Sequence, residues 1–282
     1  MTNQPFVSGF IHAGLGNQLF IIFATLATAK RDGIIAKLKY SPQAWKSQTN
    51  QTPYNQLITN LEFTNFEQTQ IETIFLEKQH NQYEEIPVIR QNTLLVGYFQ
   101  SRFYLDPISD MIVETMQLQR VKDQELLSQT LTKLRDLAGD KQLIFIHVRR
   151  GDYLKMKWDL PFSYYQEAIN WYREKFPNKC FFLIFSDDMN YCRTNFSHEN
   201  LGISDPIWLS DISEDYIELM LMSECDAGII SNSTFSWWAI YLRELKNNHQ
   251  PPLCVSPKLW KNGTPENLPE IEEKYWHFLD TH

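Results

Sequence analysis

The residues best suited to carry chemistry stand in the run His147–Tyr153, which reads His-Val-Arg-Arg-Gly-Asp-Tyr. The run begins at the end of Leu143–Val148, an apolar stretch typical of a buried parallel strand. Ligands bind at the carboxyl ends of strands in open α/β sheets. Because a guanidinium offers a fork of donors that fits a phosphate group, we interpret Arg149 and Arg150 as a pyrophosphate clamp, with Asp152 orienting an arginine. A structural ion pair at a strand end is the alternative interpretation.

A second candidate is the glycine-rich run Gly14–Phe20, which follows a predicted strand and opens a predicted helix. Backbone N–H groups and the helix dipole can face an anion there, and we include Asn17 and Gln18 among the candidate binding residues. The run is only weakly similar to a dinucleotide fingerprint, because Leu19 replaces the third glycine and no acidic residue ends the next strand. An NAD enzyme is therefore disfavoured, and a plain turn before a helix is the alternative.

Two further polar runs follow predicted strands. Ser231–Trp238 supplies hydroxyl groups where a helix begins, so Ser233 and Thr234 are candidates to hold a phosphate or a ribose. The run Phe185–Asp188 supplies Asp187, which could accept a hydrogen bond from a base or a ribose. For both runs, capping of the following helix is the alternative interpretation.

The elements that position these runs form two α/β halves. The first half contains predicted strands 6–11, 34–39 and 93–99, a helix 17–31 that stops at Gly33, and an amphipathic helix 122–137 with Leu126, Leu127, Leu131, Leu134 and Leu137 on one face. The second half contains strands 143–148, 180–185, 227–230 and 253–255, helices 163–176 and 234–245, and a helix that ends near 224. This alternation predicts a doubly wound parallel sheet. Gly139 and Asp140 interrupt the pattern, so we predict an N-terminal domain of residues 1–139 and a C-terminal domain of residues 140–282.

Composition narrows the class of protein. The formal net charge of −8 lacks the basic footprint of a duplex nucleic-acid binder, so no nucleic-acid partner is expected. No apolar stretch reaches the ~20 residues of a membrane span, and no basic segment of a signal peptide is present. We therefore expect a cytoplasmic protein with no transmembrane segment, which leaves peripheral attachment to a membrane open. Four widely separated cysteines and the lack of a D-x-D motif indicate no disulfide framework, no metal and no cofactor.

Five runs together resemble the α-1,2-fucosyltransferases of glycosyltransferase family 11: Gly14–Phe20, Gly97–Ser101, His147–Tyr153, Phe185–Asp188 and Ser231–Trp238. They occur in order over most of the chain, although Ala13 stands where bacterial members often carry a glycine. The resemblance implies an α/β, GT-B-like fold of two Rossmann-like domains, with the donor nucleotide in the cleft. In that arrangement residues 1–139 would form the acceptor-side domain, and residues 140–282 would form the domain that binds the nucleotide sugar. It also implies an inverting transfer of L-fucose from GDP-fucose to the 2-hydroxyl of galactose in a galactose-terminated oligosaccharide acceptor.

The resemblance further implies roles for single residues. Arg149 would bind the donor phosphates, and the nucleotide pocket would be lined by His147, Asp187, Ser233, Thr234 and Phe235, with Asn17, Gln18 and Arg150 added from their own runs. As the bond between fucose and the phosphate oxygen breaks, negative charge grows on the β-phosphate, and without a metal motif Arg149 is the candidate to stabilise it. The base that accepts the acceptor's proton stays open among His12, Asp152 and Asp159.

Other functions compete with this interpretation. The nearest enzyme alternative is transfer of another deoxysugar such as rhamnose, while a protein O-fucosyltransferase is disfavoured by the lack of a signal peptide. A non-catalytic carbohydrate-binding protein is the alternative from a different class, and the intact arginine run speaks against it. Residues 41–92 are weakly patterned and have no predicted role.

Overall fold

A computed structural model of the chain describes residues 4–44, 52–64, 67–79, 82–260 and 275–281. These residues fall into two compact units, the first ending at Arg120 and the second beginning at Val121. Of the weakly patterned segment 41–92, residues 45–51, 65–66 and 80–81 lie outside the described residues.

The first unit is built on parallel strands. Its strands are β1 (Phe6–Gly9), β2 (Ile11–Ala13), β3 (Ile35–Ala36), β4 (Tyr40–Ala44), β5 (Thr73–Leu76) and β6 (Thr93–Val96). Its helices are α1 (Leu15–Asp32), α2 (Arg102–Leu105) and α3 (Ser109–Thr115), with 3₁₀ turns at Tyr54–Gln56, Gln68–Gln70 and Asp106–Ile108. Four strands form a parallel sheet in the order β3-β1-β6-β5, and β2 pairs with β4 separately.

Helix α1 covers this sheet and fixes the turn that precedes it. Gly9 allows the close approach, because a Cβ at this position would collide with the side chains of Thr25 and Ile21. The helix ends at Gly33, whose φ of 65° is left-handed and whose N–H donates to the carbonyl of Ala29. The predicted stop at Gly33 is therefore confirmed, and the helix begins two residues earlier than predicted.

The second unit is a larger parallel sheet surrounded by helices. Its strands are β7 (Gln142–Val148), β8 (Cys180–Ser186), β9 (Ile207–Leu209), β10 (Ala227–Ile229), β11 (Leu253–Pro257) and β12 (Trp276–Leu279). Its helices are α4 (Val121–Ala138), α5 (Tyr153–Met156), α6 (Phe162–Lys175), α7 (Met189–Asn195), α8 (His198–Leu201), α9 (Asp215–Met222) and α10 (Thr234–Lys246). The strand order is β12-β11-β10-β7-β8-β9 with every pair parallel, so the predicted parallel sheet is confirmed.

Helix α4 belongs to the second unit. It packs against β7 and α9, and Arg135 on it forms an ion pair with Asp226 at 2.6 Å. The units consequently divide at Arg120, one helix before the predicted boundary at 139. Only Leu134 of the five leucines is fully buried, whereas Leu126 and Leu137 are exposed. Gly139 ends a helix, with a left-handed φ of 61°, without ending a unit.

Candidate functional site

Polar side chains converge at one edge of the second sheet. Strand β7 lies between β8 and β10, and all three run in the same direction. Their carboxyl ends therefore meet at one edge, where Arg149, Asp187 and Ser231 each follow a strand. This is the edge at which open α/β sheets bind ligands.

Arg149 is held between two carboxylates. Its guanidinium donates to Asp152 at 2.6 Å and to Asp187 at 2.8 Å. It also lies over the ring of Tyr153, with Cζ 5.3 Å from the ring centre. Its side chain is 22% exposed, so the fork of donors is aligned and still reaches solvent. Such an arrangement suits recognition of a phosphate group.

The side chain of Arg150 contacts different residues from those that Arg149 contacts. Its guanidinium stacks on Tyr191 at 3.5 Å from the ring centre, donates to Asp188 at 3.2 Å and lies 3.6 Å from Asp159. Its backbone N–H donates to Asp187 at 2.8 Å. Arg150 therefore braces the loop and fixes the carboxylate that orients Arg149, while its predicted contact with a ligand stays a prediction.

His147 is buried below the arginine. Its Nδ1 lies 2.8 Å from the hydroxyl of Ser231, and its ring lies 5.3 Å from that of Phe235. Burial, together with the positive charge of Arg149, lowers the pKa of His147 to about 3. The imidazole is therefore neutral at physiological pH, so it can exchange hydrogen bonds with a ligand but is a poor general base.

The run after β10 opens helix α10. Ser233 caps the helix, because its hydroxyl accepts a hydrogen bond from the N–H of Phe235 at 3.4 Å. The capping role that competed with ligand binding is thus present for Ser233. Thr234 and Phe235 are half-buried in the first turn. The hydroxyl of Tyr153 donates to the carbonyl of Asn232 at 3.1 Å, which links this turn to the arginine loop.

Sequence reasoning missed two residues at this edge. Asn232 is buried and donates from its amide to the carbonyls of Trp158 and Trp260, both at 2.9 Å, so it ties two loops to the β10–α10 turn. Glu218 on α9 has its carboxyl group bonded to the hydroxyl of Ser210, and burial raises its pKa to about 8. The signal for Glu218 was present, since it is the one charged residue in the apolar run Tyr216–Met222.

The other predicted residues lie together in the first unit. Gln18 is buried and donates to the carbonyl of Ala13 at 2.7 Å, so it braces the turn before α1. Asn17 accepts a hydrogen bond from the amide of Gln100 at 2.8 Å. His12 is half-buried, and its Nδ1 lies 2.8 Å from the carbonyl of Phe10. Ligand contacts of all three stay predictions.

Within the described ranges, no group of three or more His, Cys, Asp or Glu side chains could hold a metal ion. The four cysteines, all of them described, are buried free thiols. No described helix is long and apolar enough to cross a membrane.

The fold is α/β and GT-B-like, with two units and a parallel sheet in each. Two solved structures share it: the NodZ alpha-1,6-fucosyltransferase soaked with GDP-fucose (TM-score 0.53, 14% identity, 85% of this chain and 93% of that chain) and POFUT1 in complex with GDP (TM-score 0.56, 11% identity, 91% and 98%). These identities are low, so the likeness concerns the fold, and it confirms the predicted fold class.

The family follows from the sequence. The model of glycosyl transferase family 11 matches residues 95–248, more than half of the chain, and the chain belongs to this family. The O-antigen biosynthesis glycosyltransferase WbnK of Escherichia coli is 30% identical over 189 residues, 62% of this chain and 57% of that protein. An alpha-1,2-colitosyltransferase of Escherichia coli is 31% identical over 134 residues, 45% and 44% of the two chains. A galactoside 2-alpha-L-fucosyltransferase SEC1 of Bos taurus is 32% identical over 105 residues, 34% and 27%. The chain thus spans about half the length of the bacterial relatives, and less of the bovine one.

Proposed function

We propose that this chain is an inverting fucosyltransferase that moves L-fucose from GDP-fucose to the 2-hydroxyl of galactose in an oligosaccharide acceptor. Membership of family 11 supports the reaction class, and the bovine relative named a galactoside 2-alpha-L-fucosyltransferase supports donor sugar, acceptor and linkage. The NodZ structure soaked with GDP-fucose supports the donor. The observation that carries the proposal is the aligned, solvent-reaching guanidinium of Arg149 at the carboxyl end of β7.

Arg149 is proposed to bind the β-phosphate and to stabilise the negative charge that grows there as the sugar leaves. Asp187 also accepts the backbone N–H of Arg150, so it is the fixed partner that keeps the guanidinium aligned. Asp152 is 45% exposed and has no such backbone anchor among the bonds of the described residues. The phosphate therefore takes the place of Asp152 on one side of Arg149. Donors aligned in advance need little reorganisation when charge develops, which is what makes them effective.

The proton of the acceptor hydroxyl needs a base, and His147 is excluded by its low pKa. The contact of His12 with Phe10 favours one tautomer of the neutral imidazole: because a carbonyl can only accept, Nδ1 is the donor and Nε2 is the nitrogen with the lone pair. Asp152, once released from Arg149, is the other proposed base, and Asp159 is held near Arg150. We assign His12 and Asp152 to the catalytic set on this basis.

The remaining predicted residues complete the donor pocket in this proposal. His147, Ser233, Thr234 and Phe235 are proposed to contact the nucleotide at the carboxyl edge of the second sheet. Asn17 and Gln18 are proposed as donor-binding residues on the glycine-rich run of the first unit. The reaction is proposed to need no metal and no cofactor, since a guanidinium does the work that a cation does in metal-dependent transferases.

Transfer of another deoxysugar is a second candidate, because one relative is named an alpha-1,2-colitosyltransferase. A diphosphate clamp at Arg149 serves any sugar nucleotide, so it does not choose between fucose and colitose. An assay that offers both donors to the same enzyme would decide between transfer of fucose and transfer of colitose.

The test is acceptor-dependent release of GDP from GDP-fucose, with lactose as acceptor and EDTA present, and with the product linkage read by NMR. We expect turnover in EDTA and an α-1,2-linked product. Arg149→Ala should lower turnover on the order of 10²–10³-fold. Arg193→Ala, an exposed arginine on the nearby helix α7, is the matched control and should leave turnover unchanged.

The outcomes separate the parts of the proposal. Near-normal turnover of Arg149→Ala would contradict the role of this residue in the chemistry. Loss of turnover in EDTA, restored by Mn²⁺, would contradict metal independence. Turnover with a colitose donor and none with GDP-fucose would favour the second candidate.

A further inference from the structure

Three aromatic rings stand in a row at the carboxyl edge of the first sheet. The ring of His12 lies 5.2 Å from that of Phe10 and 4.9 Å from that of Tyr98, centre to centre. Phe10 and Tyr98 follow the neighbouring parallel strands β1 and β6, and the N–H of Phe10 donates to the carbonyl of Leu95 at 2.9 Å. We call Phe10, His12 and Tyr98 the aromatic row.

The aromatic row faces solvent instead of filling the core. Phe10 is 36% exposed, and His12 and Tyr98 are half-buried. The core of the unit is supplied by other side chains such as Phe99, which is fully buried. A row of rings left at the binding edge of an α/β sheet, with polar groups beside it, is the usual composition of a small-molecule site.

The backbone that carries two of the rings is held in unusual conformations. Ala13, directly after His12, has a φ of 62°, and Phe99, directly after Tyr98, has a φ of 53°. Among the residues described in the first unit, these are the two non-glycine residues with a positive φ. For alanine and phenylalanine this conformation costs free energy, and such strain persists where the surrounding structure enforces it, often at ligand sites.

The enforcing contacts are specific. The buried carboxylate of Glu77 accepts the N–H groups of Tyr98 at 2.7 Å and of Phe99 at 3.0 Å. Gly97 allows this approach, because a Cβ there would collide with Glu77. On the other side, Gln18 holds the carbonyl of Ala13. A side chain that only fills space needs no such anchoring of its backbone.

We propose that the aromatic row is the subsite for the acceptor, and that it takes a hexopyranose ring of a neutral oligosaccharide by stacking. The apolar C–H face of a galactose ring fits aromatic faces, while the sugar hydroxyl groups stay free for polar contacts. The proposal rests on the transfer reaction proposed above for its substrate class. It goes further, because it assigns the acceptor to three residues of the first unit, two of which, Phe10 and Tyr98, were not candidates from the sequence.

The test measures acceptor binding and turnover separately in Phe10→Ala, Tyr98→Ala and Tyr98→Phe. Phe103→Ala is the matched control, since Phe103 is a 53% exposed ring of the same unit whose ring partner is Tyr83. Ligand-observed saturation-transfer NMR with N-acetyllactosamine reports acceptor binding without any reaction. Steady-state assays give KM for the acceptor, calorimetry gives the affinity for GDP, and thermal unfolding checks the fold.

We expect Phe10→Ala and Tyr98→Ala to weaken the NMR contacts and to raise the acceptor KM roughly tenfold, with kcat changed less and the affinity for GDP unchanged. Tyr98→Phe keeps the ring and should keep acceptor binding. Acceptor binding within twofold of the parent in both alanine variants would overturn the proposal, and so would an equal loss in Phe103→Ala. If the parent binds N-acetyllactosamine through these rings yet transfers no fucose, the proposed reaction fails while the subsite stands.

Discussion

Replacing Glu218 by glutamine should stabilise the second unit at alkaline pH and have little effect near pH 5. The carboxyl group of Glu218 is buried on α9 and accepts a hydrogen bond from Ser210. Burial is the largest cause that raises its pKa from 4.5 to about 8; the hydrogen bond from Ser210 lowers the pKa, and the negative charges of Asp215 and Asp187 add to the rise. The folded protein therefore holds a proton on this group over a range where the unfolded chain releases it.

The sign and the size of the effect follow from proton linkage. Because the folded pKa is raised, the contribution to stability is fully present below pH 4.5 and is lost as the pH rises through about 8. One pKa unit corresponds to about 1.4 kcal/mol, so the free energy of unfolding should fall by on the order of 4 kcal/mol across this window. Glutamine keeps an acceptor for the Ser210 hydroxyl and has no proton to lose, so the variant lacks this fall.

The assay is urea unfolding of the parent and of Glu218→Gln at pH 5.0, 6.5 and 8.5, followed by tryptophan fluorescence. Seven of the eight tryptophans belong to the second unit, with Trp45 as the exception, so the signal reports mainly on that unit. Glu125→Gln, an exposed position on α4, is the control and should differ from the parent by the same small amount at each pH. A stability difference between Glu218→Gln and the parent that is constant with pH would refute the reasoning.

Three further substitutions test the geometry of the two units. Gly151→Ala would bring a methyl group into collision with the carboxylate of Asp187, which aligns the guanidinium of Arg149. We therefore expect GDP binding, measured by calorimetry, to weaken about tenfold. Unchanged affinity would argue against a phosphate clamp at Arg149. Ala13→Gly relieves a left-handed alanine and should raise the stability of the first unit by about 0.5 kcal/mol, read from hydrogen exchange of α1 amides, whereas a loss of protection would contradict the strain argument. Glu77→Gln leaves an N–H of Tyr98 or Phe99 facing an amide NH₂ and should cost about 2 kcal/mol in the same measurement; full protection in this variant would mean that the turn does not depend on Glu77.

The sequence was sufficient for four of the six strands described in the second unit, whereas the short strands β9 and β12 were not predicted. It was also sufficient for much of the carboxyl edge of this sheet. Continuous apolar runs are typical of buried parallel strands, and those beginning near Leu143, Cys180, Ala227 and Leu253 are strands of one parallel sheet. Polar runs that directly follow such strands must lie at the carboxyl edge, whatever the strand order. Arg149 and Asp187 therefore had to be candidates together.

The direct contact between Arg149 and Asp187 could not be predicted from the sequence, because it depends on which strands are neighbours. Arg149 reaches Asp187 only because β7 and β8 pair, and the order of strands in a sheet is set by packing and not by local pattern. The same limit applies to α4, whose leucine pattern predicted a buried face although Leu126 and Leu137 are exposed. Periodicity shows that a helix has an apolar face. How much of that face is buried depends on the area of the neighbouring elements that pack against the helix.

The proposed phosphate site at the carboxyl edge of the second sheet contains more carboxylates than guanidinium groups, although its ligand is an anion. The guanidinium groups of Arg149 and Arg150 face four carboxylates, those of Asp152, Asp159, Asp187 and Asp188. Two of the carboxylates are tied to backbone N–H groups, Asp187 to that of Arg150 and Asp188 to that of Tyr191. Fixed carboxylates hold the arginines in place before a ligand arrives, and an exposed one such as Asp152 contributes little free energy and is readily exchanged for a stronger anion. The free-energy cost of ordering the guanidinium of Arg149 therefore arises during folding and not during binding. A diphosphate then binds a guanidinium that is already oriented.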